Sequence, residues 1–204
     1  STGGQAIRVG NLAAAEALPG RHNYQTAAAA YAACQALGVA PGRIMAAMRT
    51  FPGLPHRMER VAEIGGVRFV NDSKATNAQA AEQALKTWPK VHWIAGGVPK
   101  AEGIKPLGPW FDRIEQAYLI GESADEFAKT LNGKVKSMKC GTLEAATQAA
   151  VDAAKAAGEP DPIVLLSPAC ASFDQYKDFE ARGDAVREIV QRLASQTEPQ
   201  KEAV

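Results

Sequence analysis

Three short stretches concentrate the residue types that hold ligands or stabilise charge. They are Asn71-Asp72-Ser73-Lys74-Ala75-Thr76-Asn77, Gly96-Gly97-Val98-Pro99-Lys100 and Ser167-Pro168-Ala169-Cys170-Ala171-Ser172-Phe173-Asp174. Each follows a run of apolar residues. In the first, Lys74 supplies a cation suited to phosphate or carboxylate. A strand-to-helix turn there would add amide donors and the partial positive charge of a helix start. Asp72 could hold a ribose hydroxyl, a metal or Lys74 itself, and Thr76 or Asn77 could serve only as a helix cap. In the second, two glycines let the backbone turn sharply or approach a ligand. Lys100 would stand at the same edge as Lys74, although a tight turn with a solvated lysine accounts for these residues equally well. In the third, small residues permit close approach and Ser172 offers a hydroxyl near a helix start. The Gly-x-Ser-x-Gly pattern of a nucleophile elbow is not there. Cys170 reads as a small buried residue, and Phe179 as core.

Pro55-His56-Arg57 adds a guanidinium that either reaches a phosphate across a cleft or ends a strand in solvent. Asn23 is suited to cap a helix. His22 and His92 are isolated and read as structural.

The elements that must position these groups alternate in type. Helices are expected over residues 27–37 and 41–49, and the Phe51-Pro52-Gly53-Leu54-Pro55 run then breaks helix strongly, which places a domain boundary there. Residues 57–64 and 67–70 read as a hairpin around Gly65-Gly66. Strands are expected over 91–95, 117–120, 134–138 and 163–166, and helices over 78–86, 123–131, 143–157 and 173–193. Short apolar strands alternating with helices mean an α/β fold, a Rossmann-like, mostly parallel sheet with helices on both faces. Ligands in such folds sit beyond the carboxyl ends of the strands, and that is where the three polar stretches fall.

Bulk properties exclude several classes. Apolar content is 46%, charged content 22% and net charge +1, so no electrostatic case arises for nucleic acid or an acidic membrane surface. No apolar run approaches the roughly 18 residues of a membrane span, so no membrane insertion is expected. Cys34, Cys140 and Cys170 lack the spacing of a zinc site or a disulfide framework, and free thiols fit a reducing, cytoplasmic setting. There is no Gly-x-x-x-x-Gly-Lys-Ser/Thr phosphate loop, no Gly-x-Gly-x-x-Gly fingerprint and no His-Glu-x-x-His. The chain begins at Ser1 in a polar, glycine-rich stretch, which reads as a trimmed terminus or as the mark of missing upstream protein; residues 1–20 are expected to be loosely held.

Four pieces together resemble one family: Gly20-Arg21-His22-Asn23, the run from Phe51 through Arg57 to Glu59, the Asn71–Asn77 and Gly96–Lys100 stretches, and Leu165-Leu166-Ser167-Pro168-Ala169-Cys170-Ala171-Ser172-Phe173-Asp174-Gln175. In order and spacing they resemble the Mur ligases, in the form of the branch that adds D-glutamate. The resemblance implies a chain made of a remnant of the central ATP-binding domain (1–53) and the whole amino-acid-binding domain (54–204), inactive alone. It implies ATP and magnesium as cofactors, the magnesium ligands mainly outside this chain, with no metal ligand assigned here. It implies D-glutamate and UDP-N-acetylmuramoyl-L-alanine as partners: ATP phosphorylates the carboxylate of the latter, and the amine of D-glutamate attacks the acyl phosphate. By the same resemblance Asn23, Arg57, Asp72 and Lys74 face ATP, while Thr76, Lys100, Ser172 and Phe179 face D-glutamate. Lys74 and His56 adjoin the chemistry. Thr26 departs from the family, which often has a second asparagine toward the adenine. The competing readings are a stand-alone domain for an acidic amino acid or nucleotide, and a related amide ligase such as folylpolyglutamate synthase. The severed look of the Ala-rich start argues against the former and the Asn-Asp-Ser-Lys-Ala-Thr-Asn run against the latter.

Overall fold

The computed structural model describes residue 17 and residues 19–197. The loose stretch expected over residues 1–20 therefore falls mostly outside the described residues, as does the tail from residue 198. The chain divides into two compact units, residues 1–53 and 54–204.

The first unit contains α1 (Arg21–Ala36) and α2 (Pro41–Arg49). Pro41 opens α2, where its fixed φ suits a first helical turn and its missing N–H costs nothing. Helix α1 begins six residues before the expected position 27, which corrects the reading of Asn23 as its cap. The cap position is Gly20, and Asn23 lies inside the first turn with Nδ2 donating to the Pro19 carbonyl at 2.6 Å. The residues between 21 and 26 carry no helix breaker, so the helix can begin at Arg21.

The second unit runs β1 (Glu59–Ile64), β2 (Val67–Asn71), α3 (Ala78–Thr87), β3 (Val91–Gly96), a 3₁₀ helix (Lys105–Arg113), β4 (Ile114–Ile120), α4 (Ala124–Leu131), β5 (Lys136–Gly141), α5 (Leu143–Ala157), β6 (Ile163–Leu166) and α6 (Phe179–Thr197). The sheet order is β1-β2-β6-β3-β4-β5. Strand β1 pairs antiparallel with β2 through the Gly65-Gly66 turn, and every other pairing is parallel. Successive residues of the central strands enter opposite cores. Trp93, Ala95, Leu119 and Leu165 pack with α3, α4 and the 3₁₀ helix, whereas Ile94, Tyr118, Val164 and Leu166 pack with α5 and α6. That two-residue alternation is the geometry of a strand buried on both faces.

Strands β4 and β5 are offset from the expected 117–120 and 134–138, and two further elements of this unit differ more from the sequence reading. Residues 105–113, read as connection, form a 3₁₀ helix, and its Pro106 and Pro109 suit short turns without a full α ladder. Helix α6 begins at Phe179, six residues after the expected start at 173. Residues 167–178 are held in a loop by tertiary ties that a helix would forbid. Ala171 forms an antiparallel bridge with Val98, Ala169 has φ 56°, and the Asp174 carboxylate accepts from the Glu122 amide at 3.0 Å. Asp178 then caps α6, its Oδ1 accepting from the Ala181 amide at 2.7 Å.

Candidate functional site

Strands β2, β6 and β3 are neighbours, so the loops after them emerge side by side at the carboxyl edge of the sheet. Backbone hydrogen bonds join these loops directly. The Asp72 amide donates to Leu166 O at 2.7 Å and the Gly96 amide to Pro168 O at 2.9 Å. Val98 and Ala171 exchange both of theirs, at 2.9 and 3.0 Å. Gly97 is what permits this contact. It has φ 128°, and a Cβ there would lie 2.2 Å from Ala171 O. The loop that leads to Lys100 is therefore tied to the loop that carries Ser172.

The turn after β2 is organised by Asn71, which is fully buried. Its Nδ2 lies 3.1 Å from each of His56 Nδ1, Glu59 Oε2 and Gly183 O, and its Oδ1 accepts from the Ser73 amide at 3.2 Å. Nδ2 carries two hydrogens for these three acceptors, and where it donates to the imidazole, Nδ1 accepts. The His56 ring packs directly on Gly183, where a Cβ would come within 2.1 Å of Nδ1. The His56 carbonyl accepts from the Lys74 amide at 3.0 Å. Lys74 Nζ rests 3.6 Å from the centroid of the Phe179 ring, and His56 meets the same ring edge-on at 6.1 Å. Residues from three distant parts of the chain thus form one cluster. Phe179 is half-buried and stacked under a cation rather than enclosed in core.

Asp72 does not neutralise Lys74. Its Oδ2 accepts from Ser167 Oγ at 2.8 Å and its Oδ1 from the Met58 amide at 3.2 Å. Burial pushes its carboxyl up to about 7, against the opposing pull of those two hydrogen bonds and of Arg57. The folded value lies above the unfolded one, so the stability this group contributes is complete below about pH 4 and is lost as pH rises through 7. Asp72→Asn does not titrate. The variant should therefore gain stability, read as melting temperature, relative to wild type progressively from pH 4 to 7 and hold that gain above, with an upper limit on the order of 4 kcal/mol. Melting curves at pH 4 to 8 check this; a constant or shrinking difference contradicts it.

The cap of α3 is Asn77, whose Oδ1 accepts from the Ala80 amide at 2.9 Å, so the Thr76 hydroxyl is not used in that way. Ser172 is 2% exposed and Lys100 is exposed, with no ion pair among the described residues. Arg57 is also exposed. Cys170 is fully buried, and burial raises its thiol to about 11, which removes it as a nucleophile at neutral pH. His92 is buried with Nδ1 3.0 Å from the Tyr118 hydroxyl, in keeping with a structural role. Asn23 lies in the first unit, apart from this cluster in sequence.

The residues missed by sequence reasoning are Arg182, Glu59 and Arg187. Glu59 Oε1 accepts from Arg187 Nε and Nη2 at 3.0 and 2.6 Å, while its Oε2 accepts from the His56 amide at 2.9 Å. Arg182 is 1% exposed and donates to Ser73 and Cys170. Periodicity held a signal for it: Arg182 shares the buried stripe of α6 with Val186, Ile189 and Val190, where a charge has no ordinary place.

Comparison with known proteins converges on one family. Residues 56–170 match the family model described as Mur ligase, glutamate ligase domain. A UDP-N-acetylmuramoylalanine--D-glutamate ligase of Phenylobacterium zucineum is 57% identical over 194 residues, which is 95% of this chain and 41% of that protein. One of the same name from Caulobacter vibrioides is 56% identical, over 96% of this chain and 41% of its own length. The chain thus spans about 41% of the length of these relatives. Among solved structures, a UDP-N-acetylmuramate-alanine ligase from Thermotoga maritima shares the fold, with a TM-score of 0.60 at 15% identity over 87% of this chain and 39% of that one.

Proposed function

The chain belongs to the Mur ligase family through its glutamate ligase domain, and on that premise we propose that it is the amino-acid-binding part of an ATP-dependent ligase that joins D-glutamate to UDP-N-acetylmuramoyl-L-alanine. The observation that carries this reading is the identity of more than half the chain with D-glutamate ligases, joined to a sheet edge where Lys74, Thr76, Lys100 and Ser172 stand on three interlocked loops. Residues 1–53 are, in this reading, the end of the central ATP-binding domain.

D-glutamate is a dianion with one ammonium group. Lys100 and the hydroxyls of Ser172 and Thr76 offer a charge-assisted set for its carboxylates, with Phe179 closing one side. The half-buried Lys74 and the exposed Arg57 supply cations that fit the phosphates of ATP. ATP supplies the phosphoryl group that activates the acceptor carboxylate, with magnesium held mainly by other parts of the ligase. His56 fixes the Lys74 turn through its carbonyl and shields it with its ring. These residues act by placing the amine against the activated carboxylate and by neutralising charge. No helix among the described residues is long and apolar enough to cross a membrane, and three free cysteines suit a cytoplasmic setting.

Titration of the chain with D-glutamate, followed by amide chemical shifts, tests the site. Shifts should cluster on Thr76, Val98, Lys100, Ala171 and Ser172 and exceed those caused by L-glutamate. Shifts confined to a surface without Lys100 and Ser172 would refute the assignment.

A further inference from the structure

Arg182 presents an energetic problem that the roles above do not use. Its side chain lies in the interior, yet no carboxylate forms an ion pair with it among the described residues. Its partners are neutral: Nε donates to Ser73 Oγ at 3.0 Å, and Nη2 donates to Ser73 O and to Cys170 O, each at 3.0 Å. Nη1 is buried without a hydrogen-bond partner among the described residues, 3.3 Å from where a Cβ on Gly97 would lie. Burial lowers the guanidinium to about 10, which leaves it charged at neutral pH. A buried cation whose hydrogen bonds all go to neutral acceptors, with the Asp174 carboxylate acting on it only from a distance, is costly, and an apolar side chain of similar volume would serve the core better.

The compensation lies in what its partners hold. Ser73 precedes Lys74 by one residue and Thr76 by three; Cys170 precedes Ser172 by two. Ser73 Oγ in turn donates to the Phe179 carbonyl at 2.8 Å, which ties the same turn to the start of α6. The Val98–Ala171 bridge carries the constraint on to the loop of Lys100. A single rigid fork therefore sets the turn after β2, the turn after β6 and the first turn of α6 relative to one another. A lysine, with a point charge and no fork, does not reproduce it.

We propose that Arg182 is a positioning residue of the D-glutamate site: it holds the Lys74–Thr76 turn and the Ser172 turn at the spacing the two carboxylates of the ligand require, and this inference rests on the functional reading above. Two variants of a full-length ligase carrying this segment test it, Arg182→Lys and Arg182→Met. Both should raise KM for D-glutamate at least tenfold while KM for ATP stays within about threefold, and lysine should not restore it. An unchanged KM for D-glutamate in Arg182→Lys, or a parallel rise in both constants, would overturn the proposal. Hydrogen exchange on this chain provides a reading that needs no ligand. In Arg182→Lys the amides of Ser73 to Thr76 and of Ala171 and Ser172 should lose protection at least tenfold while Ala117 and Leu119 keep theirs. Uniform loss, or none, overturns the lock. A wild-type ligase indifferent to D-glutamate would sink the functional reading alone, and the exchange result would still decide what Arg182 does.

Discussion

Replacing Lys74 with alanine in a full-length ligase carrying this segment should lower kcat by about 10²–10³, the usual cost of losing one preorganised donor at a developing charge. The expectation follows from how the side chain is held. Its backbone amide is anchored by the His56 carbonyl, and its ammonium rests on the Phe179 ring, 3.6 Å from the centroid, with no carboxylate partner among the described residues. Asp72, the acid beside it in sequence, is turned inward to Ser167 and Met58. The cation therefore remains available to a phosphate at little cost beyond leaving an aromatic face. Little stability rests on it, since Lys74 is partly exposed and makes no ion pair there. Steady-state kinetics with circular dichroism as the control for folding check the point. A kcat within threefold of wild type would remove Lys74 from the chemistry.

Lys100→Ala should act on a different constant. We expect KM for D-glutamate to rise roughly 10–100-fold, the equivalent of one lost charge-assisted hydrogen bond, with KM for ATP changed less than twofold. Lys100 is exposed and unpaired among the described residues, on the loop that Gly97 and Val98 dock against Ala171. Because the group is solvated, part of its attraction is screened, and the wild-type KM for D-glutamate should itself rise with ionic strength while that of the variant rises less. Equal changes in both constants, or none, would show that Lys100 is only a surface charge.

Much of the architecture was legible because the local signals were unambiguous. Residues 163–166 read as a buried strand, and the observed β6 has those bounds, since Pro162 and Ser167-Pro168 punctuate an unbroken apolar run. Residues 143–157 carry an Ala-rich helix that Gly158 ends in the left-handed region. The edge strand β5 gave a weak signal because its side chains are mostly exposed and polar. The start of α6 was misplaced because nothing between Phe173 and Asp178 forbids a helix; the Val98–Ala171 bridge and the Asp174–Glu122 contact decide it, and these are tertiary. The same holds for the site. Residue types pointed to Lys74, Lys100 and Ser172, but whether Asp72 would pair with Lys74 or turn inward depends on the β2–β6 register, which sets Asn71 beside Leu166. Arg182 escaped notice because a lone arginine in a long helix reads as solvated until the buried stripe is traced through it.

The central claim, that this segment selects D-glutamate, is tested most directly by phosphate release and product mass from a full-length ligase carrying it. The assay supplies ATP, magnesium and UDP-N-acetylmuramoyl-L-alanine, then D-glutamate, L-glutamate, D-aspartate or L-lysine in turn. Turnover should be saturable with D-glutamate, with a product heavier by one glutamyl residue, and at least tenfold weaker with each of the others. Equal turnover with L-lysine, or none with D-glutamate, would contradict the account.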